Sequence, residues 1–211
     1  MTMTARAEFV YLASQSPRRA QLLSQLGVRH ELLLADSSED AEALEDVKPN
    51  EAPAAYVKRV TTLKLDAAVA RMARRGLPPA PVLCCDTTVA LGRSIFGKPA
   101  SVSDAQRMLA ALAGRTHRVL TAVAVQGLGE TGAPGARYAD CSVSQVQFEA
   151  MTTAQIKTYV ATGEPMGKAG AYAVQGRAAM HITRISGSYS GIMGLPLYET
   201  AQLLRAAGLA V

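Results

Sequence analysis

Tryptophan is absent from this 211-residue chain, and aromatic residues make up only 5% of it. Proteins that hold single-stranded nucleic acid stack its bases on aromatic side chains, so this scarcity argues against a nucleic-acid partner. No apolar run reaches the roughly 18 residues that a membrane-spanning helix requires. Residues 1–8 also lack the apolar segment of a signal peptide. We therefore expect no membrane partner and a cytoplasmic location.

Cysteine and histidine are scarce too, with three of each. Cys84 and Cys85 stand side by side in an apolar run, which is typical of reduced, buried thiols in a cytosolic protein. Neither a Cys-x-x-Cys nor a His-x-x-x-His spacing occurs, so no zinc site is expected. The pattern Gly-x-x-x-x-Gly-Lys-Ser/Thr is missing as well, which argues against a P-loop nucleotide site.

The remaining composition is typical of a folded domain, with 49% apolar and 18% charged residues. The length predicts one domain with two lobes over residues 9–211, preceded by a flexible extension at residues 1–8. Lysine and arginine number 22 against 17 acidic residues, which gives a net charge of +5. This mild excess suits an anionic small molecule or a nucleic acid.

Helical and strand patterns alternate along the chain and predict a mixed α/β sheet flanked by helices. Predicted strands cover residues 9–13, 32–34, 82–91, 117–126, 138–148 and 180–185, the fourth and fifth forming a hairpin. Predicted helices begin at Pro17, at Pro53, after the capping boxes that start at Ser103 and Thr152, and at Pro196.

The segment from Ser14 to Arg19 joins the first predicted strand to the first predicted helix. A helix N-terminus favours an anion, because its free N–H groups and dipole present positive charge. Arg18 and Arg19 in the first turn conflict with that dipole, and a bound phosphate would remove the conflict. The alternative is an ordinary helix start with two surface arginines.

Asp86 stands inside the buried strand over residues 82–91. A buried carboxylate is costly unless it is paired or binds a metal, so Asp86 is a candidate metal ligand or general base. The alternative is a structural role, in which the Asp86 carboxylate caps neighbouring backbone groups. Lys64 lies beside the apolar stripe of its helix, where it either contacts an anion or extends its stem over apolar surface. Lys98 could reach over the sheet edge, but on its own it is better explained as a solvated lysine.

Two further segments stand out. Residues 36–46 hold six carboxylates, which most simply form a solvated loop. Residues 163–177 form a glycine-rich loop whose backbone can approach a ligand closely. Gln175 in that loop could pair with a nucleobase edge, since an amide offers a donor and an acceptor together.

Six short motifs, which run from about Phe9 to the last predicted helix, are similar to those of one protein family. They are Leu12-Ala13-Ser14-x-Ser16-Pro17-Arg18-Arg19, Asp86-Thr87, Gly97-Lys98-Pro99, Gly114-Arg115-Thr116-His117, Lys168-Ala169-Gly170-Ala171-Tyr172-x-x-Gln175-Gly176 and Gly187-Ser188-Tyr189…Met193-Gly194-Leu195-Pro196. With them the chain resembles the Maf family of nucleoside triphosphate pyrophosphatases. The segment before Gly176 is similar to the subgroup that acts on dTTP and UTP, and the subgroup for 7-methyl-GTP carries a different sequence there.

The resemblance implies hydrolysis between the α- and β-phosphates of dTTP, UTP and modified pyrimidine analogues, which would cleanse the nucleotide pool. The products would be the monophosphate and pyrophosphate, and the reaction would use a divalent metal, Mg²⁺ or Mn²⁺. It also implies a two-lobed fold with an elongated central sheet, a site in the cleft, and a homodimer.

Residue roles follow from the same resemblance. Positions that discriminate the base are Arg18, Thr87 and Gln175. Catalytic and phosphate-contacting positions are Glu39, Lys64, Asp86 and Lys98, with Glu39 and Asp86 holding the metal. Ser14, Arg19 and Lys168 complete the substrate-binding set. The family usually has an acidic residue where this chain has Gly167, and Glu164 is a candidate to replace it.

Three alternatives stay open at this point. The chain could be a regulator of septum formation that binds a nucleotide without hydrolysing it. It could be a pyrophosphatase with 7-methyl-GTP specificity. A third alternative, an RNA-binding protein that uses the net positive charge, conflicts with the low aromatic content.

Overall fold

The computed structural model describes residues 7–36, 39, 43–129 and 132–211. A seven-stranded mixed sheet forms its centre, with strand order β2-β1-β3-β5-β6-β7 and β4 paired to β3. The strands are β1 Val10–Leu12, β2 His30–Leu32, β3 Val82–Leu91, β4 Ser94–Phe96, β5 Thr116–Leu128, β6 Pro134–Phe148 and β7 Ile182–Ser186. The predicted mixed α/β fold is confirmed. Most of the proposed extension at residues 1–8 lies outside the described residues.

Helices cover both faces of this sheet. They are α1 Pro17–Gln25, α2 Pro53–Arg74, α3 Val102–Leu112, α4 Thr153–Val160, α5 Tyr189–Met193 and α6 Leu197–Ala206. Short 3₁₀ turns lie at Ala43–Glu45, Ala169–Ala171 and Arg177–His181. The first two helices start at the predicted prolines and are followed by Gly27 and Gly76, whose positive φ angles suit a helix terminus. No described helix has the length and apolarity needed to cross a membrane.

The two faces of β3 carry different cores, because successive side chains of a strand point to opposite sides. Cys84 and Ala90 pack with residues of α2, such as Leu65 and Val60. Cys85 packs on the other face, among side chains of α1 and α6 such as Leu23. The sheet is therefore the middle layer of three, with α2 on one side and the other helices opposite.

Sequence patterns misplaced several boundaries. The predicted strand at residues 32–34 is found at His30–Leu32, because pairing with β1 and not hydrophobicity sets its register. The strand predicted at residues 180–185 begins at Ile182, after a 3₁₀ turn. Helix α3 is capped by Ser101, which accepts from the Asp104 amide, and not by Ser103. The capping box at Thr152 is confirmed. Helix α5 was not predicted.

The predicted hairpin is confirmed and longer than expected, since β5 and β6 pair from residue 116 to residue 147. Gly127, Gly129 and Gly132 near its tip have the Gly-x-Gly-x-x-Gly spacing of a dinucleotide-binding loop. That loop requires a strand followed by a helix, whereas these glycines join two antiparallel strands. The spacing therefore has no nucleotide-binding meaning here.

Strand β3 is paired unequally on its two edges. Along one edge it pairs with β5 from Val82 to Ala90 without interruption. Along the other it pairs with β1 only at residues 82–83 and with β4 only at residues 89–91. Residues 84–88 have no strand partner on that edge among the described residues. This interruption lies beside the carboxyl end of β1 and the start of α1, where α/β sheets commonly bind ligands.

His117 provides a test of the packing behind the cleft. Burial lowers its pKa to about 4, and its Nε2 lies 2.8 Å from the Tyr172 hydroxyl. A lowered histidine pKa means that the unfolded chain takes up a proton first, so stability is lost as the pH falls below about 6.5. We predict that the free energy of unfolding falls by about 2 kcal/mol more between pH 7.5 and 5 in the parent than in His117→Gln. Denaturant titrations at both pH values measure this, and equal losses in the two proteins would contradict it.

Candidate active site

A cleft opens where the edge of β3 is unpaired, and it has two adjoining hollows. The Gln175 hollow is lined by Asp86, Thr87, Lys168 and Gln175. The Glu39 hollow is lined by Ser14 and Glu39. The wall shared by both hollows contains Arg18, Arg19, Lys64, Lys98 and Glu45. The residues predicted from the sequence for substrate, metal and catalysis therefore all line one cleft.

Lys64 is the centre of the charged network in this cleft. Its ammonium group donates to Asp86 at 2.5 Å and to Glu45 at 2.7 Å. Burial alone would lower the pKa of Lys64, but the two carboxylates outweigh it and raise the pKa above its usual range. Lys98 also donates to Glu45, at 3.2 Å. Lys64 therefore stays charged, and its charge is shared between two acids.

Asp86 owes its position to the strand. It is 8% exposed and lies in the unpaired stretch of β3, on the face that α2 covers. Lys64 comes from α2, which packs on that same face. A carboxylate and an ammonium from neighbouring layers thus meet at the sheet edge, where a ligand can also reach them. The structure supports neither a backbone cap for Asp86 nor a purely apolar environment for the Lys64 stem.

Glu39 is held elsewhere in the cleft. Its carboxylate accepts from Arg71 at 2.6 and 2.8 Å and from Arg74 at 2.7 Å. Hydrogen bonds from Arg71 lower the pKa of Glu39 to about 2 and outweigh the opposing effect of burial. In the described structure no contact joins Glu39 to Asp86 or Lys64, and Glu45 takes the position beside the two lysines. The sequence offered little to single out Glu45, one of six acids within residues 36–46.

The donor set of this centre fits a divalent metal such as Mg²⁺. Mg²⁺ prefers carboxylate oxygens and often takes only one or two from the protein, with phosphate and water completing its shell. Asp86 and Glu45 supply two such groups, and the Lys64 ammonium between them shows that a cation is stable there. No group of three or more acidic, histidine or cysteine residues lies together within the described ranges. Asp86 and Glu45 are therefore the described residues that would hold such a metal.

Further positive charge lines the cleft at Arg18, Arg19 and Lys168. Burial and the neighbouring Arg19 lower the pKa of Arg18, and burial and Arg18 lower the pKa of Lys168. Cations whose charged forms are disfavoured in this way would gain from a bound anion. Ser16 occupies the N-cap of α1 but makes no side-chain capping hydrogen bond, and no acidic residue lies in the first turn. The predicted anion site at the start of α1 thus has matching geometry.

Arg19 fixes the floor of the Gln175 hollow. Its guanidinium donates to the Gly194 carbonyl at 2.8 Å, to the Ser14 hydroxyl at 3.2 Å and to the Thr87 hydroxyl at 3.3 Å. The Thr87 hydroxyl is also 3.0 Å from Thr121 on β5. These bonds tie α1 to β3 and to the segment after α5. Arg19 therefore orders Thr87 and Ser14, whereas Arg18 has fewer internal partners and is better placed for a ligand.

The glycine-rich loop of residues 163–177 closes the hollow from the side. Gly170, with φ of +69°, lies against Val89, and a Cβ added there would lie 2.8 Å from Val89. The Gly170 amide donates to the Gly97 carbonyl. Only glycine permits this close approach, which sets Lys168 and Gln175 over the unpaired edge of β3. Gln175 is exposed, and Gly167 lines both hollows.

Comparison with known proteins identifies the family of this chain. The profile of a family described as Maf-like protein matches residues 9–207. The chain belongs to the Maf-like protein family. That range contains every predicted site residue, from Ser14 to Gln175. The family resemblance read from six short motifs is therefore confirmed.

Closely similar relatives carry one description. A "dTTP/UTP pyrophosphatase" of Albidiferax ferrireducens is 67% identical over 97% of this chain and 100% of its own length. Proteins of the same description from Polaromonas sp. and Cupriavidus metallidurans are 68% and 62% identical, over 97% and 95% of this chain and 98% and 97% of their own lengths. A solved Mycobacterium abscessus structure, described as nucleoside-triphosphatase / dITP/XTP pyrophosphatase, is 13% identical with a TM-score of 0.37, covering 66% of this chain and 72% of its own.

Removing Lys64 tests the charge balance of the site. In Lys64→Met two partly buried carboxylates lose their shared partner, and we predict a loss of about 2–3 kcal/mol in the free energy of unfolding. Added Mg²⁺ should then raise the melting temperature more in Lys64→Met than in the parent, because the freed carboxylates can bind it. The double variant Lys64→Met/Asp86→Asn is the control and should lose most of this rescue. Calorimetry with and without Mg²⁺ measures the melting temperature of each protein. An equal rise in melting temperature in all three proteins would contradict the proposed donor set.

Proposed function

We propose that this Maf-like protein is a nucleoside triphosphate pyrophosphatase that hydrolyses dTTP and UTP to the monophosphate and pyrophosphate. The observation that carries the proposal is the Lys64 centre, where Asp86, Glu45 and Lys98 meet at the unpaired edge of β3 opposite the Gln175 loop. Curated relatives of 62–68% identity described as dTTP/UTP pyrophosphatases support the substrate. The same chemistry would remove modified pyrimidine nucleotides from the pool.

The lysine and arginine side chains of the cleft are the proposed phosphate-binding groups. A triphosphate carries about four negative charges, and hydrogen bonds from charged donors to such an anion are roughly twice as strong as hydrogen bonds between neutral groups. Lys64, Lys98 and Arg18 line the part of the cleft shared by both hollows, and Lys168 lines the Gln175 hollow. A phosphate chain entering between them displaces part of the Lys98–Glu45 pairing, which is the more exposed of the two ion pairs of Glu45. Binding thus exchanges internal ion pairs for contacts with the substrate.

Asp86 is the proposed general base. It takes a proton from a water molecule whose oxygen bonds to the α-phosphorus, and the bond from that phosphorus to the bridging oxygen breaks. Pyrophosphate leaves with the bonding electrons, and Lys64 and Lys98 stabilise its charge. Asp86 and Glu45 are the residues that would hold Mg²⁺, which when bound neutralises charge on the phosphate oxygens. Placement and charge stabilisation therefore supply most of the proposed catalysis.

Gln175 is the proposed base reader, with Thr87 and Arg18 beside it in the same hollow. Uracil and thymine present an N–H donor flanked by carbonyl acceptors, and a glutamine amide can pair with both. Cytosine reverses this edge. If the amide of Gln175 is held in the orientation that pairs with uracil, cytosine would leave polar groups unpaired at a cost of about 1–3 kcal/mol each. UTP and dTTP should therefore react faster than CTP or purine triphosphates.

The direct test is product analysis over a panel of triphosphates with Mg²⁺: UTP, dTTP, CTP, GTP and 7-methyl-GTP. The proposal requires the monophosphate and pyrophosphate from UTP and from dTTP, and less product from CTP, GTP and 7-methyl-GTP. Release of UDP and inorganic phosphate would contradict it. Tight UTP binding without turnover would favour a nucleotide-binding regulator instead, and faster hydrolysis of 7-methyl-GTP would favour the sister subgroup.

Three associated features are also proposals. We infer that Mg²⁺ or Mn²⁺ is the cofactor, on the strength of the Asp86 and Glu45 oxygens. A homodimer follows from the family resemblance alone. A reducing, cytoplasmic setting is supported by the buried free thiols of Cys84 and Cys85, whose pKa values burial raises.

A matched pair of variants tests which glutamate serves the metal. Glu45→Gln and Glu39→Gln each remove one negative charge from the cleft. We predict that Glu45→Gln raises the Mg²⁺ concentration for half-maximal activity by about tenfold, since an amide is the weaker ligand. Glu39→Gln should change that value less than threefold and instead lower the melting temperature, because Arg71 is buried and loses its partner. The reverse pattern would indicate that Glu39, and not Glu45, is the metal ligand.

Base recognition is tested by Gln175→Glu, which keeps the shape of the side chain and replaces its NH₂ donor with an acceptor. We predict that kcat/KM for UTP falls about ten- to a hundredfold, consistent with about 1.5–3 kcal/mol for the lost pairing. Gln202→Glu adds the same charge on α6 outside both hollows and should leave kcat/KM within about twofold. Equal losses in both variants would show that charge, and not base pairing, explains the effect.

A further inference from the structure

Glu164 ties together the two ends of the loop that carries Gln175. Its carboxylate accepts from the backbone amide of Arg177 at 2.9 Å and from that of Ala178 at 3.4 Å. The Tyr159 hydroxyl of α4 donates to the same carboxylate at 2.8 Å. One side chain at the start of residues 163–177 thus binds the backbone just after their end.

The backbone leaves room for this contact. A Cβ added to Gly176 would lie 2.4 Å from the Glu164 carboxylate oxygen. The amides of Arg177 and Ala178 open the 3₁₀ turn Arg177–His181, where unsatisfied N–H groups favour a negative charge. Burial would raise the pKa of Glu164, but these amides, Tyr159 and Lys168 outweigh it and lower the pKa. Glu164 therefore stays ionised near neutral pH.

Gln175 stands next to this junction and has few constraints of its own. It is exposed, whereas Tyr172 is buried and fixed by His117. Lys168, also in the loop, donates to the Glu164 carbonyl at 2.5 Å. The backbone on either side of Gln175 is thus held by His117 at Tyr172 and by Glu164 at Arg177. The bonds of Glu164 therefore constrain the backbone that begins two residues after Gln175.

We propose that Glu164 is a positioning residue for base selection, and that it acts through the backbone of Arg177 and Ala178. The inference rests on the proposed function, since selection requires that Gln175 reads the base. It gives Glu164 a role different from that of the acid missing at Gly167: its carboxylate faces backbone amides and Tyr159 and serves the loop, not a metal.

Glu164→Gln tests the proposal, because the amide keeps the shape but turns one acceptor into a donor that faces the loop amides. We expect the UTP-to-CTP ratio of kcat/KM to fall about tenfold, mainly through a higher KM for UTP, with kcat changed less than threefold. Gly176→Ala should have the same effect by pushing the carboxylate aside. Adding it to Glu164→Gln should lower the ratio little further.

Glu149→Gln is the matched control. Glu149 pairs with His181 at the other end of the same 3₁₀ turn, at 2.7 Å, and does not contact the loop ends. Its loss should lower stability and leave the UTP-to-CTP ratio within about twofold. An unchanged ratio in Glu164→Gln, with a lowered melting temperature like that of the control, would reduce Glu164 to a structural residue and overturn the proposal.

Hydrogen exchange separates this proposal from the proposed function. The amides of Arg177 and Ala178 should exchange at least tenfold faster in Glu164→Gln than in the parent and in Glu149→Gln, whatever the substrate. Unchanged exchange rates would show that Glu164 does not hold this backbone in place, and would overturn the proposal even if the enzyme is active. Faster exchange in a protein whose parent form does not discriminate UTP from CTP would overturn the base-reading function and, with it, the role in selection. If Glu164→Gln does not fold, Tyr159→Phe removes one of the three bonds and carries the same readouts.

Discussion

Among the residues that the structure describes, strand β3 is paired along almost all of one edge and only at the two ends of the other. The short strand β1 stops at residue 12 and the chain turns into α1, while β4 returns to β3 only from residue 89 onward. Residues 84–88 lie between, and their alternating side chains point to both faces of the sheet. Asp86 meets the ammonium of α2, and Thr87 meets the guanidinium at the start of α1. The cleft, its charges and its two hollows all depend on this interruption.

The charged side chains of the cleft pair with one another, and a triphosphate could take the place of some of these partners. Lys64 holds two carboxylates, and one of those also holds the more exposed Lys98. Breaking a buried pair by removing one member is costly, whereas exchanging partners is not. A phosphate chain with its metal brings both signs of charge together. The network is therefore stable without substrate and still open to it.

The sequence was sufficient for the strong local signals. The apolar residues on both sides of Asp86 predicted β3 with its bounds, and the prolines and glycines around α1 and α2 predicted their ends. The resemblance brought Lys64, Lys98 and Gln175 to the same cleft as Asp86. It did not identify Glu45, because six acids crowd one short segment and only tertiary packing selects the one that reaches Lys64. The sequence also did not indicate that Glu164 binds the loop backbone. Its partners are backbone amides, which no side-chain pattern reveals.

In the proposed reaction, the Asp86 and Lys64 centre directs water to the α-phosphorus of a bound triphosphate. Hydrolysis of UTP in ¹⁸O-labelled water checks this step, because the labelled oxygen marks the phosphorus that was attacked. We predict that mass spectrometry finds the label in UMP and none in pyrophosphate. Label in pyrophosphate would place the attack on the β-phosphorus and would rule out this reaction.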